Sequence, residues 1–196
     1  VLDIAQRHLG TDPTRTYVTG HSMGGHGAWH LSVTYPDRFA AVGPSAGWPS
    51  FGSYTRRRGV EDTAPMAESP RRAASPSDTM SLVSNLAPLG IYVLHGGADD
   101  NVPPEQAQMV LDALEPFHRA FTYHEEPGAG HWWGGDEEPG ADCVDWAPMF
   151  DLFARSALPA GDAVRDVGFT TANPGISSSS HWVAIEAQHE MSRPSS

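Results

Sequence analysis

One serine in this chain stands where a serine can do chemistry. In "RTYVTGHSMGGHGAW" (Arg15 to Trp29), Ser22 separates a β-branched and aromatic run, Thr16 to Thr19, from a glycine-rich run that continues as a helix pattern. A strand that becomes a helix within so few residues holds the intervening side chain out for reaction, and Gly20, Gly24 and Gly25 give the turn room. The turn is expected to force Ser22 into a sparsely allowed backbone conformation. A serine hydroxyl is a poor nucleophile at neutral pH, so a base must take its proton and a third group must hold that base in the right tautomer. The chain supplies both. Asp99 and Asp100 follow a strand-like run in "YVLHGGADDNVP", and His131 lies in the glycine-rich loop of "YHEEPGAGHWWGG". Of the ten histidines, His124 falls within a strand pattern, His26 within a helix pattern and His95 just before Asp99. His131, unlike His124 and His26, has a loop that could present it above a sheet and is preferred over the others. A glycine-rich N-cap, with Ser22 satisfying a helix end, would use the same local residues. The downstream carboxylates and histidine favour the catalytic reading.

These side chains need a frame. Leu2, Ala5 and Leu9 share a helical face that stops at Gly10. A strand over Thr16–Thr19 leads into a helix from about Gly24 to Pro36. Phe39–Gly43 and Ile91–Gly96 read as the second and third strands and Ala120–Glu126 as the fourth. Ala107, Val110, Leu111 and Leu114 mark one amphipathic helix, and Trp146, Met149, Phe150 and Phe153 a closing one. Trp48 to Pro88 is rich in Pro, Ser and Arg and reads as an insertion or cap, its arginines as a solvated face. Strand and helix alternate, the pattern of an α/β protein with a parallel sheet whose reactive residues gather at the carboxyl ends of the strands. Residues 1–158 therefore read as one α/β body. After Leu158 the character changes: 159–196 reads as a linker followed by two β-type runs around a serine tract, either packed on the body or the start of a second domain.

"GHSMG", "HGGADDNVP" and the His131 loop together resemble the prolyl oligopeptidase family and its esterase relatives within the α/β-hydrolases, with the order Ser, Asp, His that this fold uses. The resemblance runs from Val1 to about Ala157. It implies Asp99 as the triad carboxylate, since a stretch like "HGGADDNVP" carries it at its first Asp, and leaves Asp100 a helix-start or loop-bonding residue. It implies that Ser22 attacks a carbonyl carbon, that His131 accepts its proton and that an acyl-enzyme forms. The backbone amide of Met23 would be the first oxyanion donor, the second coming from an earlier loop outside this chain. The nucleophile strand is the first here, whereas several strands precede it in the family. The expected fold is therefore the C-terminal half of a mostly parallel α/β-hydrolase sheet flanked by helices, with a β-type C-terminal extension. The resemblance implies a peptide or ester as the small-molecule substrate and no cofactor. Family peptidases commonly carry Tyr after the serine; Met23 looks more like the esterases. A carboxylesterase of the feruloyl-esterase or polyester-depolymerase type is thus one alternative, and a noncatalytic hydrolase-like segment of a larger protein another. His21, Trp132 and Trp133 are candidates for lining the substrate pocket.

Composition narrows the classes. The chain has 196 residues, enough for one domain with a sizeable core, and is 39% hydrophobic and 18% charged, which is ordinary globular usage. A formal net charge of -12 argues against nucleic acid or an anionic membrane surface as partner, because neutralising phosphates takes clustered cations. No apolar run approaches membrane-spanning length. The single cysteine, Cys143, excludes a disulfide within the chain and reads as a small buried apolar residue. No histidine spacing such as H-E-x-x-H appears, and the acidic run Asp136–Asp142 lacks alternating ligand spacing, so no metal is expected. The sequence starts at Val1 with no leader-like segment and reads as a piece of something longer, so it assigns neither compartment nor oligomeric state.

Overall fold

The computed structural model describes residues 2–57, 72–135, 139–190 and 192–196. Along Gly90–Gly96, Ile91 and Val93 alternate with Tyr92 and Leu94; both sets are apolar, so a strand made from them must be covered on both faces. It is, as one of two central strands in a four-stranded sheet ordered β1 (Tyr17–His21), β2 (Ala41–Ser45), β3 (Gly90–Gly96), β4 (Phe121–Glu126). Every neighbouring pair is parallel, so each connection has to cross over the sheet. The crossovers are helical. α1 (Leu2–Leu9) precedes β1, and α2 (Met23–Thr34) links β1 to β2. α3 (Phe51–Arg57) and a 3-10 helix at Thr79–Leu86 lie between β2 and β3; α4 (Glu105–Leu114) joins β3 to β4, and α5 (Ala147–Arg155) follows β4.

Two apolar clusters sandwich the sheet. On one face Val42, Ile91 and Val93 meet Trp29 and Val33 of α2, Leu82 and Leu86 of the 3-10 helix, and Val110 and Leu114 of α4. On the other, Ala41, Tyr92 and Leu94 meet Met149 and Phe153 of α5. Each such buried side chain contributes roughly 1.5 to 3 kcal/mol, so the sheet and its crossovers form a coherent support for the loops above them.

The elements depart from the sequence expectations in instructive places. β1 runs two residues further than expected, to His21, and ends against Ser22. β2 is Ala41–Ser45, not Phe39–Gly43, and includes Pro44, which has no amide to donate. Its ladder to β3 accordingly pairs Ala41, Val42 and Ser45 and skips Gly43 and Pro44, while pairing to β1 is continuous. Within 48–88, Thr79–Leu86 is not peripheral: Leu82 and Leu86 enter the main core, and Asp78 caps the segment by accepting from the Met80 amide at 3.1 Å. Most of the arginine-rich runs expected as a solvated face lie outside the described residues; Arg72 is half-buried.

In 159–196 the serine tract itself supplies a strand. Ser179–Ser180 (β5) pairs antiparallel with Val183–Ala184 (β6) around a turn in which His181 has φ 51°. The "VGFTT" run contributes only an isolated bridge between Thr171 and Ser195. This segment rests on the body through Asn85, whose amide nitrogen donates to Val33 O and Thr170 O, both at 2.7 Å, and whose Oδ1 accepts from Thr170 N at 2.8 Å. Ala172 joins the main core.

Candidate active site

The elbow at Ser22 is built by close backbone approach. Ser22 has φ 60° and ψ -117°, a conformation that costs a non-glycine residue on the order of 1–3 kcal/mol. Its amide donates to Ser45 O at 2.9 Å, which pins the turn to the end of β2, and its carbonyl accepts from His26 N at 3.0 Å as α2 begins. The glycines are not equivalent. A Cβ at Gly20 would lie 2.6 Å from the Gly24 backbone, and one at Gly25 would lie 2.3 Å from Ser45 O. At Gly24 a Cβ would meet nothing within 4 Å. Close packing therefore depends on Gly20 and Gly25.

The other two loops continue the pairing of β3 and β4 past the sheet. Gly97 N donates to Glu126 O at 2.8 Å and Ala98 N to Ala129 O at 2.7 Å, so the connections carrying Asp99 and His131 are joined before either side chain is reached. Asp99 is buried, and its Oδ1 accepts from the amides of Asn101 at 3.0 Å and Val102 at 2.8 Å. These bonds orient the other oxygen. Asp99 Oδ2 lies 2.7 Å from His131 Nδ1, and His131 Nε2 lies 2.9 Å from Ser22 Oγ. An ionised carboxylate only accepts, so Nδ1 carries the proton and the Nε2 lone pair faces the hydroxyl. The three residues singled out in the sequence thus meet in one hydrogen-bonded line.

The remaining candidates separate. Met23 opens α2, where the first amides have no acceptor inside the helix, and its side chain is 71% exposed. Trp132 is 67% exposed and packs its ring 4.1 Å from that of His21 and 5.6 Å from that of His131. Trp133 points elsewhere, edge-on to Trp146 within the cluster that α5 covers. His21 closes β1 with its Nδ1 2.9 Å from Ser45 Oγ; burial, then the neighbouring His131, lower its pKa to about 4. His95 is buried in β3, bonds Val102 O at 2.7 Å, and has its pKa lowered by burial. His26 bonds Trp48 O at 2.8 Å, and His124 bonds Glu126 at 2.9 Å. Cys143 is buried, and burial raises its thiol pKa. Sequence reasoning missed Ser45, which bonds the Ser22 amide, the His21 ring and, at 2.6 Å, Cys143 O. A lone serine after a proline in a short apolar run carries no signal of that role. Part of the acidic run, 136–138, lies outside the described residues, and among the described ones no three metal-ligating side chains are grouped to hold an ion. No described helix is long and apolar enough to cross a membrane.

Comparison with known proteins identifies the family and the fold. A family model described as the prolyl oligopeptidase family matches residues 1–147. An uncharacterized secreted protein of Arthroderma benhamiae is 34% identical over 119 residues, 60% of this chain and 13% of its own length. A Salmonella typhimurium protein, whose name assigns it provisionally as a carboxymethylenebutenolidase, is 30% identical over 152 residues, 74% of this chain and 48% of its own length. Among solved structures, an acylaminoacyl peptidase bound to a chloromethyl ketone shares the fold with TM-score 0.59 and 16% identity, over 86% of this chain and 27% of that one. A thermostable esterase does so with TM-score 0.51 and 22% identity, over 80% and 35%. The chain thus spans less than half the length of each of these relatives.

Proposed function

The chain belongs to the prolyl oligopeptidase family of α/β-hydrolases, and from that premise we propose that it is a serine hydrolase cleaving peptide or ester bonds through an acyl-enzyme. The observation that carries this reading is the line Ser22 Oγ, His131 Nε2, His131 Nδ1, Asp99 Oδ2, with separations of 2.9 and 2.7 Å. Ser22 Oγ attacks the carbonyl carbon of the substrate as its proton passes to His131 Nε2, and Asp99 stabilises the imidazolium so formed. The carbonyl oxygen becomes an oxyanion, and the Met23 amide, at the positive end of α2, is the donor nearest in sequence to receive it; one such donor is worth about 2.7 to 4 kcal/mol. Collapse of the tetrahedral intermediate expels the amine or alcohol, which takes the proton from His131. Water, deprotonated by the same ring, then attacks the acyl-enzyme and frees the acid and Ser22.

The exposed side chains of Met23 and Trp132 beside Ser22 and His131 favour a second reading, a carboxylesterase acting on esters with apolar acyl groups. The body of the reaction sits in residues 1–158, with 159–196 as an extension of it. A fluorophosphonate probe tests the class: it is expected to label the chain and to label nothing after Ser22→Ala. A folded protein that also carries the second oxyanion donor and still takes no label is a noncatalytic member of its family, and both enzyme readings fall. Parallel peptide and p-nitrophenyl ester panels then divide peptidase from esterase.

A further inference from the structure

One set of buried polar contacts beside the triad has no part in the mechanism above. His21 and Ser45 are the last residues of β1 and β2 and stand opposite each other in the ladder. Ser45 Oγ lies 2.6 Å from Cys143 O and 2.9 Å from His21 Nδ1. A carbonyl only accepts, so the Ser45 hydroxyl spends its single proton on Cys143 O and must itself accept from His21 Nδ1. That fixes the His21 tautomer: Nδ1 carries hydrogen and Nε2 is bare. Nε2, buried and without a hydrogen-bond partner among the described residues, is then the bare nitrogen of a neutral ring.

The far end of this relay is the segment that carries His131. The Cys143 amide donates to Trp133 O at 3.2 Å, so the carbonyl and the amide of one residue link Ser45 to the residues just after His131. The His21 ring meets the same segment directly, 4.1 Å from the Trp132 ring and 4.8 Å from the His131 ring. Asp99 holds the His131 ring at one nitrogen, and the backbone bond from Ala98 N to Ala129 O holds the loop two residues before it. The contacts from His21 and Ser45 approach from the opposite side, where β1 and β2 end.

We propose that His21 and Ser45 are positioning residues for His131: together they pin Cys143 O and brace Trp132, keeping Nε2 of His131 within reach of Ser22 Oγ. This rests on the reading of His131 as the base. It assigns His21 to holding the base in place, whereas a residue in contact with substrate would govern its binding. It also explains why a half-buried histidine and a buried serine close two adjacent strands.

The test compares wild type with Ser45→Ala, His21→Phe, which keeps a ring and removes the donor, and the double variant. Rates are read with p-nitrophenyl butyrate and by fluorophosphonate labelling. Each single change is expected to lower kcat about 10- to 100-fold, the penalty typical of a slightly misplaced catalytic group, with KM within about twofold. The double variant should be no slower than the worse single, because both act through one bond. Hydrogen exchange should quicken at residues 131–135 and 143–144 in every variant, while α4 stays protected. A raised KM with kcat intact, additive effects, or unchanged exchange in those residues would overturn the proposal. The exchange measurement needs no activity. A wild type that takes no probe even with the second oxyanion donor present therefore sinks the functional reading, and the bracing is still decided by exchange; if Ser45→Ala does not fold, His21→Phe carries the same comparison.

Discussion

The three connections at the carboxyl ends of β1, β3 and β4 and the segment 159–196 are both irregular chain lying over the same body, yet they are held in opposite ways. The connections are fixed by backbone bonds that continue the sheet: Ser22 N to Ser45 O, Gly97 N to Glu126 O, Ala98 N to Ala129 O. Strain at Ser22 and burial of Asp99 are tolerated because this backbone frame leaves them no alternative. The C-terminal segment has two strands of two residues each and leans on single side chains, chiefly Asn85 and the Asp37 carboxylate that accepts from His181 N at 2.9 Å. A site that must hold three groups to a fraction of an ångström is framed by backbone; a cover that needs only to stay put is tied by side chains.

Four changes would break or sharpen that contrast. The largest effect is expected at Asp99→Asn, which replaces the acceptor at His131 Nδ1 and favours the wrong tautomer; kcat on p-nitrophenyl butyrate should fall about 10⁴-fold with the fold retained. Activity within tenfold of wild type would remove Asp99 from its role. Next come the glycines. Gly20→Ala and Gly25→Ala should each destabilise by about 1–3 kcal/mol or more, since the new methyl meets backbone, whereas Gly24→Ala should leave stability unchanged or raise it by about 0.5 kcal/mol. Urea titration decides this, and equal losses at all three would show that the turn is constrained by something other than close approach. Asn85→Ala strands the Thr170 amide and the carbonyls it served, at a cost of about 1–3 kcal/mol. It should expose 159–196 to limited proteolysis with kcat within about twofold; a large loss of kcat would mean that the tail and the site are one mechanical unit. The smallest and broadest effect is with acid. Burial lowers the pKa of His26, His30 and His95, and that of His21 to about 4. Below pH 6.5 the unfolded chain takes up protons that the folded chain refuses, so stability should be flat above about 6.5 and decline as pH falls toward 4. A urea midpoint that does not move over that window contradicts the burial of neutral imidazoles.

Much of this molecule was legible in one dimension. The strand, glycine turn and helix around Ser22, the Asp after the third strand-like run and the histidine in a glycine-rich loop are local patterns. Each is set by residues within a few positions of it, which is why their order and types identified the fold and the triad candidates. The boundaries of β2 were misplaced because Pro44 carries a local penalty that the neighbouring strands absorb by skipping its rung. Thr79–Leu86 read as part of an insertion or cap because the Pro-, Ser- and Arg-rich stretch around it hides that Leu82 and Leu86 are wanted by α2 and α4. The Asp99 to His131 to Ser22 distances, the turning of Trp132 toward His21 and of Trp133 away, and the role of Ser45 had no signature at all. Such facts join residues as far apart in the chain as Ser45 and Cys143, and only the packing of the sheet against its crossovers decides which distant atoms become neighbours.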